Sequence, residues 1–383
     1  MIIVIADDIT GAAEIAGIAL NHGLKTSFAI NDIELGDALP DVFVVATNTR
    51  SETEDSAAQT ITALCRKINN VVCDFDNVTI FKKTDSVLRG HISTELVPLM
   101  KELCFHSCLL IPQNPSKGRI IRGGVYYING KPLSETSFSY DPEYPANSSV
   151  VIDLIGNQCK NLRLTDEIEE GSNMIYVADA ANPEELSTQV SKQRGDILMA
   201  GAADFFTALL YREFHIIGKS HADKGNDTAT HEGQKIVIMC GSTQSKPIEH
   251  LKYLGCISDN SIPNEIFHGC DHRGWIEELV CKYKQSDTFI MKVGNHEMKG
   301  VEYAIRIKSI MADAAKALVA ESMPNYLIIE GGATAYAILE ELRWKTFTVT
   351  REFSSGVVGL RHGNTEIILK PGSYSWGNLF NLL

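Results

Sequence analysis

Short β-branched, apolar runs recur along this chain, each followed by a longer amphipathic stretch, and that alternation restricts the fold more than any other feature. IIVIA (Ile2–Ala6) reads as a strand, and Ala12–His22 as a helix stopped by Gly23. TSFAI (Thr26–Ile30) and VFVVA (Val42–Ala46) read as strands and Glu52–Ile68 as a helix. TIFKKT (Thr79–Thr84), a helix over His91–Leu103 and the strand CLLIP (Cys108–Pro112) continue the pattern. Strands that alternate with helices need crossovers, and crossovers make a mostly parallel sheet. Asn114 to Ser149, rich in Gly, Pro and Tyr, breaks the rhythm and reads as a β-rich insertion or long loop. The alternation resumes with VVIDLI, MIYVA, a helix over Asn182–Lys192 and DILMAG.

At 383 residues the chain is long for one hydrophobic core. Gly218–Gln234 is polar and lacks large apolar side chains, as a linker or crossover would. A second α/β series starts at KIVIMCGS (Lys235–Ser242) and runs through FIMKV, a long helix Val301–Glu321, the strand YLIIE and the turn GGATA. The fold class expected is therefore two α/β domains, residues 1–217 and 235–383, with largely parallel sheets and a cleft between them.

Charge and composition exclude several function classes. A formal net charge of −13 argues against a nucleic-acid partner, while a small anionic ligand needs only a local basic cluster. No apolar run reaches the ~18 residues of a membrane span, so no membrane partner is expected. The first strand lacks a basic flank and ends in Asp-Asp, so it is not expected to be a signal peptide. Nine scattered cysteines without a C-x-x-C pair suggest a reduced, cytoplasmic protein. Cys65, Cys73, Cys104, Cys108 and Cys240 read as buried free thiols. Neither G-x-x-x-x-G-K-[ST] nor G-x-G-x-x-G occurs, which argues against a P-loop or a dinucleotide fold. HGCDHRG (His268–Gly274) lacks regular metal-ligand spacing and reads as a polar loop; no metal site is expected.

Three polar clusters follow strands in the first half, where open α/β sheets bind ligands. ADDITG places Asp7 and Asp8 at the first strand end. Either acid alone would serve as a helix N-cap, a task for which Thr10 is also suited. The pair suggests hydrogen bonds to a polyol, or a base for an attacking hydroxyl. TNTRSE adds Arg50, suited to a loop cap or to a carboxylate. KKTDSVLRG gathers Lys83, Thr84, Asp85, Ser86 and Arg89. Together these describe a pocket for a small, hydroxylated, negatively charged molecule. In the second half, glycine turns with Ser or Thr neighbours offer backbone N–H groups to phosphate oxygens. They are Gly241-Ser242-Thr243, Gly331-Gly332-Ala333-Thr334, Gly356 and Gly359 of the GVVGLRHG stretch, and Gly372 of KPGS.

With these residues in view, the chain resembles the four-carbon acid sugar kinase family. DDITG, TNTRS, KKTDSVLRG, the PQNPSKGR region, GS, GGATA and KPGS occur in the family's order across both halves. The resemblance implies an N-terminal domain that binds a four-carbon sugar acid and a C-terminal domain that binds ATP, with transfer to a terminal hydroxyl. It places Asp8 at the acceptor hydroxyls, as catalytic base or anchor, and Asp7, Arg50, Lys83–Ser86 and Arg89 around the substrate. Ser242 or its neighbours, Gly331–Thr334 and Gly372 would surround the nucleotide. Mg²⁺ normally bridges the phosphates in such transfers. A non-catalytic sugar-acid sensor with the same two-domain shell is the alternative. The oligomeric state is left open, a homo-oligomer included.

Overall fold

A computed structural model describes the chain except residues 37, 73, 142, 157–159, 166, 170, 193–196, 217–232, 243–247, 249–254, 295, 297–300, 373 and 378, and the side chains of 301 and 381. It divides into two compact units, Met1–Ser220 and His221–Leu383. Most of the Gly218–Gln234 linker, Cys73 and Thr243 lie outside the described residues.

The first unit opens with β1 (Ile2–Ala6), α1 (Ile9–Asn21), β2 (Thr26–Ile30), β3 (Val42–Ala46), α2 (Glu54–Val71), β4 (Thr79–Lys83), α3 (Ile92–Glu102) and β5 (Ser107–Ile111). An insertion folds into a small antiparallel sheet of β6 (Arg119–Arg122), β7 (Val125–Ile128) and β8 (Lys131–Pro132). Then come α4 (Val151–Ile155), β9 (Leu162–Leu164), β10 (Met174–Val177), α5 (Pro183–Lys192), β11 (Ile197–Gly201) and α6 (Ala203–Phe214). The main sheet has the order β2-β3-β1-β4-β11-β5-β10-β9, parallel throughout. Every residue of β1, β3 and β5 is buried, because helices cover both faces of a parallel sheet, which is why these strands read as unbroken apolar runs. The chain leaves β1 toward β2 and β3 and then crosses to β4 on the other side. The C-terminal ends of β3, β1 and β4 therefore flank a topological switch point.

Helix ends follow local chemistry. Thr53 caps α2 through Ser56 N at 3.3 Å, and Glu54 and Asp55 fill the first turn, where the helix dipole favours acids. Ala57, Ile61, Leu64, Cys65 and Ile68 form its buried face. Three expectations change. Helix α1 begins at Ile9 rather than Ala12, because Asp8, and not Thr10, is its N-cap. VVIDLI turns through the short helix α4, since a six-residue apolar run suits either structure. Cys104 is exposed in a left-handed conformation just past α3, whereas Cys65, Cys108 and Cys240 are buried.

The second unit holds β12 (Ile236–Cys240), β13 (Ile257–Ser261), α7 (Asn264–Phe267), α8 (Arg273–Lys284), β14 (Thr288–Lys292), α9 (Val301–Glu321), β15 (Tyr326–Glu330), α10 (Gly332–Glu341), β16 (Thr346–Ser354), β17 (Val357–His362) and β18 (Thr365–Lys370). Its strands run β13-β14-β12-β15-β18 in parallel, continued by β17 and β16 as an antiparallel hairpin. Ile307, Ile310, Met311, Ala314 and Leu318 give α9 its buried stripe. Among the described residues no helix is long and apolar enough to cross a membrane.

Candidate active site

Three strand ends, distant in sequence, meet in the first unit through side chains of opposite charge. Asp8 caps α1 by accepting from Gly11 N at 3.1 Å and from the Thr10 hydroxyl. Such a cap is worth ~1 kcal/mol. The same carboxylate faces Arg50 Nη2 at 2.9 Å. Arg50 Nε donates to Asp7 at 2.8 Å, and its Nη1 lies 3.6 Å from Asp85. Asp85 in turn accepts from Arg89 Nε at 3.0 Å and Nη2 at 2.9 Å, and from the Val87 and Arg89 backbones. Arg89 Nη1 completes the chain at Asp141 of the insertion, 3.0 Å away. Burial pushes the Asp8 and Asp85 carboxyls up, but Arg50 and, at Asp85, Arg89 outweigh it and hold both below the ordinary range. Burial would lower Arg50, yet its three aspartates hold it firmly protonated.

Lys83 belongs to the same group. A side chain at Gly11 would fall 2.5 Å from Asp8 Oδ1 and 3.3 Å from Lys83 Nζ, so the glycine leaves room for that ammonium beside the first turn of α1. Lys83 Nζ donates to the Thr84 carbonyl at 2.9 Å. Beneath it, Lys82 and Glu95 form a buried ion pair at 2.7 Å. Among the described residues, Asp7 Oδ1 and Thr84 Oγ1 are buried without a hydrogen-bond partner, an acceptor and a hydroxyl left over at this edge. Ser86 is engaged by the insertion: Arg119 Nη1 donates to its hydroxyl and the Tyr126 phenol to its carbonyl. Tyr144 donates to the Arg50 carbonyl. All the first-half candidates (Asp7, Asp8, Arg50, Lys83, Thr84, Asp85, Ser86 and Arg89) thus come together. The sequence reading gave no role to Arg119, Asp141 or Tyr144, which the insertion brings against these residues; its tyrosines were the signal available.

In the second unit, three neighbouring parallel strands end in glycine turns. A side chain at Gly241, after β12, would lie 1.9 Å from Thr334 Oγ1, and one at Gly372, after β18, 2.3 Å from Ser242 Oγ. Gly331, after β15, caps α10 with φ +100°, a conformation that favours glycine. Gly241 N donates to Glu330 O at 3.1 Å and Gly331 N to Lys370 O at 2.9 Å, which stitches the three ends together. The first-turn N–H groups of α10, at Gly332, Ala333 and Thr334, have no intrahelical acceptor. Glu330 and Lys370 pair at 2.6 Å, fully buried under the turns. Gly356, in the β16–β17 turn, packs against the Tyr374 ring. Gly359 is placed elsewhere: it stands inside β17, where its missing side chain leaves room for the Thr350–Glu366 hydrogen bond. In the HGCDHRG loop, His272 pairs with Asp313 at 2.9 Å and His268 Nδ1 meets Asn264 O at 2.7 Å.

Two family models match: a sugar-binding N-terminal domain over residues 2–209 and a nucleotide-binding C-terminal domain over residues 278–374. A 3-oxo-tetronate kinase of Brucella melitensis is 23% identical over 97% of this chain and 92% of its own length. A D-threonate kinase of Salmonella typhimurium is 27% identical over 52% of this chain and 48% of its own. The solved structure of a Haemophilus influenzae protein superposes with a TM-score of 0.72 at 19% identity, covering 99% of this chain and 98% of the other, and so shares the fold. Fold and matches together define a phosphotransferase with an alcohol group as acceptor. The chain belongs to the four-carbon acid sugar kinase family.

Proposed function

We propose that this kinase moves the γ-phosphoryl group of ATP to a terminal hydroxyl of a four-carbon sugar acid of the threonate, erythronate or oxo-tetronate type. The observation that carries the reading is the convergence of Asp7, Asp8, Arg50, Lys83, Asp85 and Arg89 on the β3-β1-β4 strand ends. That edge offers acceptors for hydroxyl groups, held ionised and in place by Arg50 and Arg89, with the Lys83 ammonium beside them. The relatives named for 3-oxo-tetronate and D-threonate support the substrate class.

In this reading Asp8 anchors and orients the attacking hydroxyl. Phosphoryl transfer through a loose transition state releases the hydroxyl proton late, so a carboxylate with a lowered pKa suffices to receive it. Lys83, against the α1 N-terminus, offsets charge on the moving phosphoryl group. Gly241, Ser242, Gly331–Thr334 and Gly372 cradle the nucleotide phosphates: Gly241 and Gly372 let Thr334 and Ser242 pack against the strand ends, and the first-turn N–H groups of α10 are the donors offered to phosphate oxygens. Thr243 is assigned to the same turn by its sequence position alone. Mg²⁺, when bound, neutralises phosphate charge. Among the described residues no group of three His, Cys, Asp or Glu is arranged to hold a metal, so phosphate oxygens and water would supply most of its ligands.

The test is a coupled ATP-turnover screen across four- and five-carbon sugar acids of both hands. Selective turnover of one or a few four-carbon acids is expected. Binding of an acid without any ATP consumption would put the sensor in place of the kinase.

A further inference from the structure

The cations of the acceptor edge are not equally available. Each guanidinium nitrogen of Arg50 faces a carboxylate, on Asp7, Asp8 and Asp85. Arg89 is spent in the same way on Asp85 and Asp141. Lys82 is paired with Glu95 and Lys117 with Glu14, and Lys83, which the reading above gives to the moving phosphoryl group, stands 4.0 Å from that same Glu14. A ligand carboxylate brought to any of these would approach a carboxylate already in place, and like charges repel. Arg119 differs. Among the described residues no carboxylate lies within 4.0 Å of it; it donates Nη1 to the neutral Ser86 hydroxyl and rests its guanidinium on the Phe138 ring, 5.4 Å from the centroid.

Its backbone is held firmly. Asn114 and Arg119 exchange hydrogen bonds of 2.9 and 3.0 Å, closing the loop that precedes β6. Asp204, on α6, ties that loop down by accepting from Ser116 N and Oγ at 2.8 Å, and its own N–H reaches Asn114 Oδ1 at 2.9 Å. The Phe138 ring has both guanidiniums over it, Arg119 at 5.4 Å and Arg89 at 5.5 Å from the centroid.

We infer that Arg119 takes the carboxylate of the sugar acid and is the residue that separates acids from neutral polyols, an inference that rests on the acceptor-site reading above. The contacts run Arg119–Ser86, then Asp85–Arg50–Asp8. An acid clamped at Arg119 therefore extends its hydroxylated carbons along this row, with the far hydroxyl toward Asp8. The buried Asp7 Oδ1 and Thr84 Oγ1 remain for the hydroxyls between.

The experiment is calorimetric titration of D-threonate, D-erythronate and their neutral primary amides into the wild type, Arg119→Gln and Arg119→Lys. The wild type is expected to favour an acid over its amide by about 10- to 100-fold, the range of a charge-assisted pair. Arg119→Gln should bind both about equally, at the amide's affinity, with nucleotide affinity and melting temperature unchanged. Arg119→Lys should keep part of the preference, since it retains the charge but loses the planar fork. An Arg119→Gln chain that still prefers the acid overturns the assignment. Equal loss of acid, amide and nucleotide binding also overturns it, by giving Arg119 a purely structural role. A wild type that binds neither acid nor amide overturns the acceptor-site reading itself.

Discussion

Replacing Gly241 with alanine tests the nucleotide cradle at its tightest point. The new methyl carbon would sit 1.9 Å from Thr334 Oγ1 and 2.6 Å from both Thr334 Cβ and Cγ2. Because Cβ is among the clashing atoms, no rotation of the threonine side chain clears the overlap. The end of β12 must move away from α10 instead, and overpacking of this kind costs about 1–3 kcal/mol. If nucleotide binding needs the unshifted geometry, that cost reappears as a loss of ATP affinity of about 10- to 100-fold. Titration of ATP into Gly241→Ala should show it, while sugar-acid binding by the first unit stays at the wild-type level. Gly274→Ala is the control: it lies in α8 with nothing within 4 Å of the added methyl, and should be neutral or slightly stabilising. Wild-type ATP affinity in Gly241→Ala would refute the cradle.

Other outcomes follow from the acceptor edge. Asp8→Asn should reduce turnover by at least ~100-fold, because the amide keeps the cap but not the charge; ATP affinity should be retained, and near-normal turnover would remove Asp8 from its role. Lys82→Met or Glu95→Leu alone should cost about 3–5 kcal/mol by stranding a buried charge, whereas the double replacement should be close to neutral, as urea unfolding would show. Asp85, held below its ordinary value of 3.8 in the folded chain, contributes stability that is fully present above that value and fades as pH falls through the folded pKa. The stability gap between wild type and Asp85→Asn should therefore be constant from pH 7 to 5 and narrow below pH 4; a gap that widens on acidification would contradict the pairing.

Much of this architecture was legible in the residues. Unbroken apolar runs marked the buried parallel strands, and the polar ends DDITG, TNTRS and KKTDS stood where such strands place ligand contacts. Their convergence depends on β1 lying between β3 and β4, an order that strand spacing alone does not reveal. The division of labour among the cations was not legible. Arg50, Arg89 and Arg119 have the same chemistry in a sequence, and only side-chain geometry shows that the first two are neutralised internally. Two local readings were decided by geometry. Of the caps open to α1, Asp8 and not Thr10 is used, and its carboxylate also meets Arg50, a partner 42 residues away. Gly359 resembled a turn glycine, yet it makes room for a cross-strand contact inside a hairpin.

A kinase of this kind puts ATP's γ-phosphoryl group on the terminal hydroxyl oxygen of a sugar acid. That transfer is tested most directly by incubating the chain with γ-labelled ATP and the preferred four-carbon acid and locating the label by NMR. One phosphate per acid is expected, on the terminal hydroxyl oxygen, formed in step with ADP. Label found only as inorganic phosphate, or esterified next to the carboxylate, would contradict it.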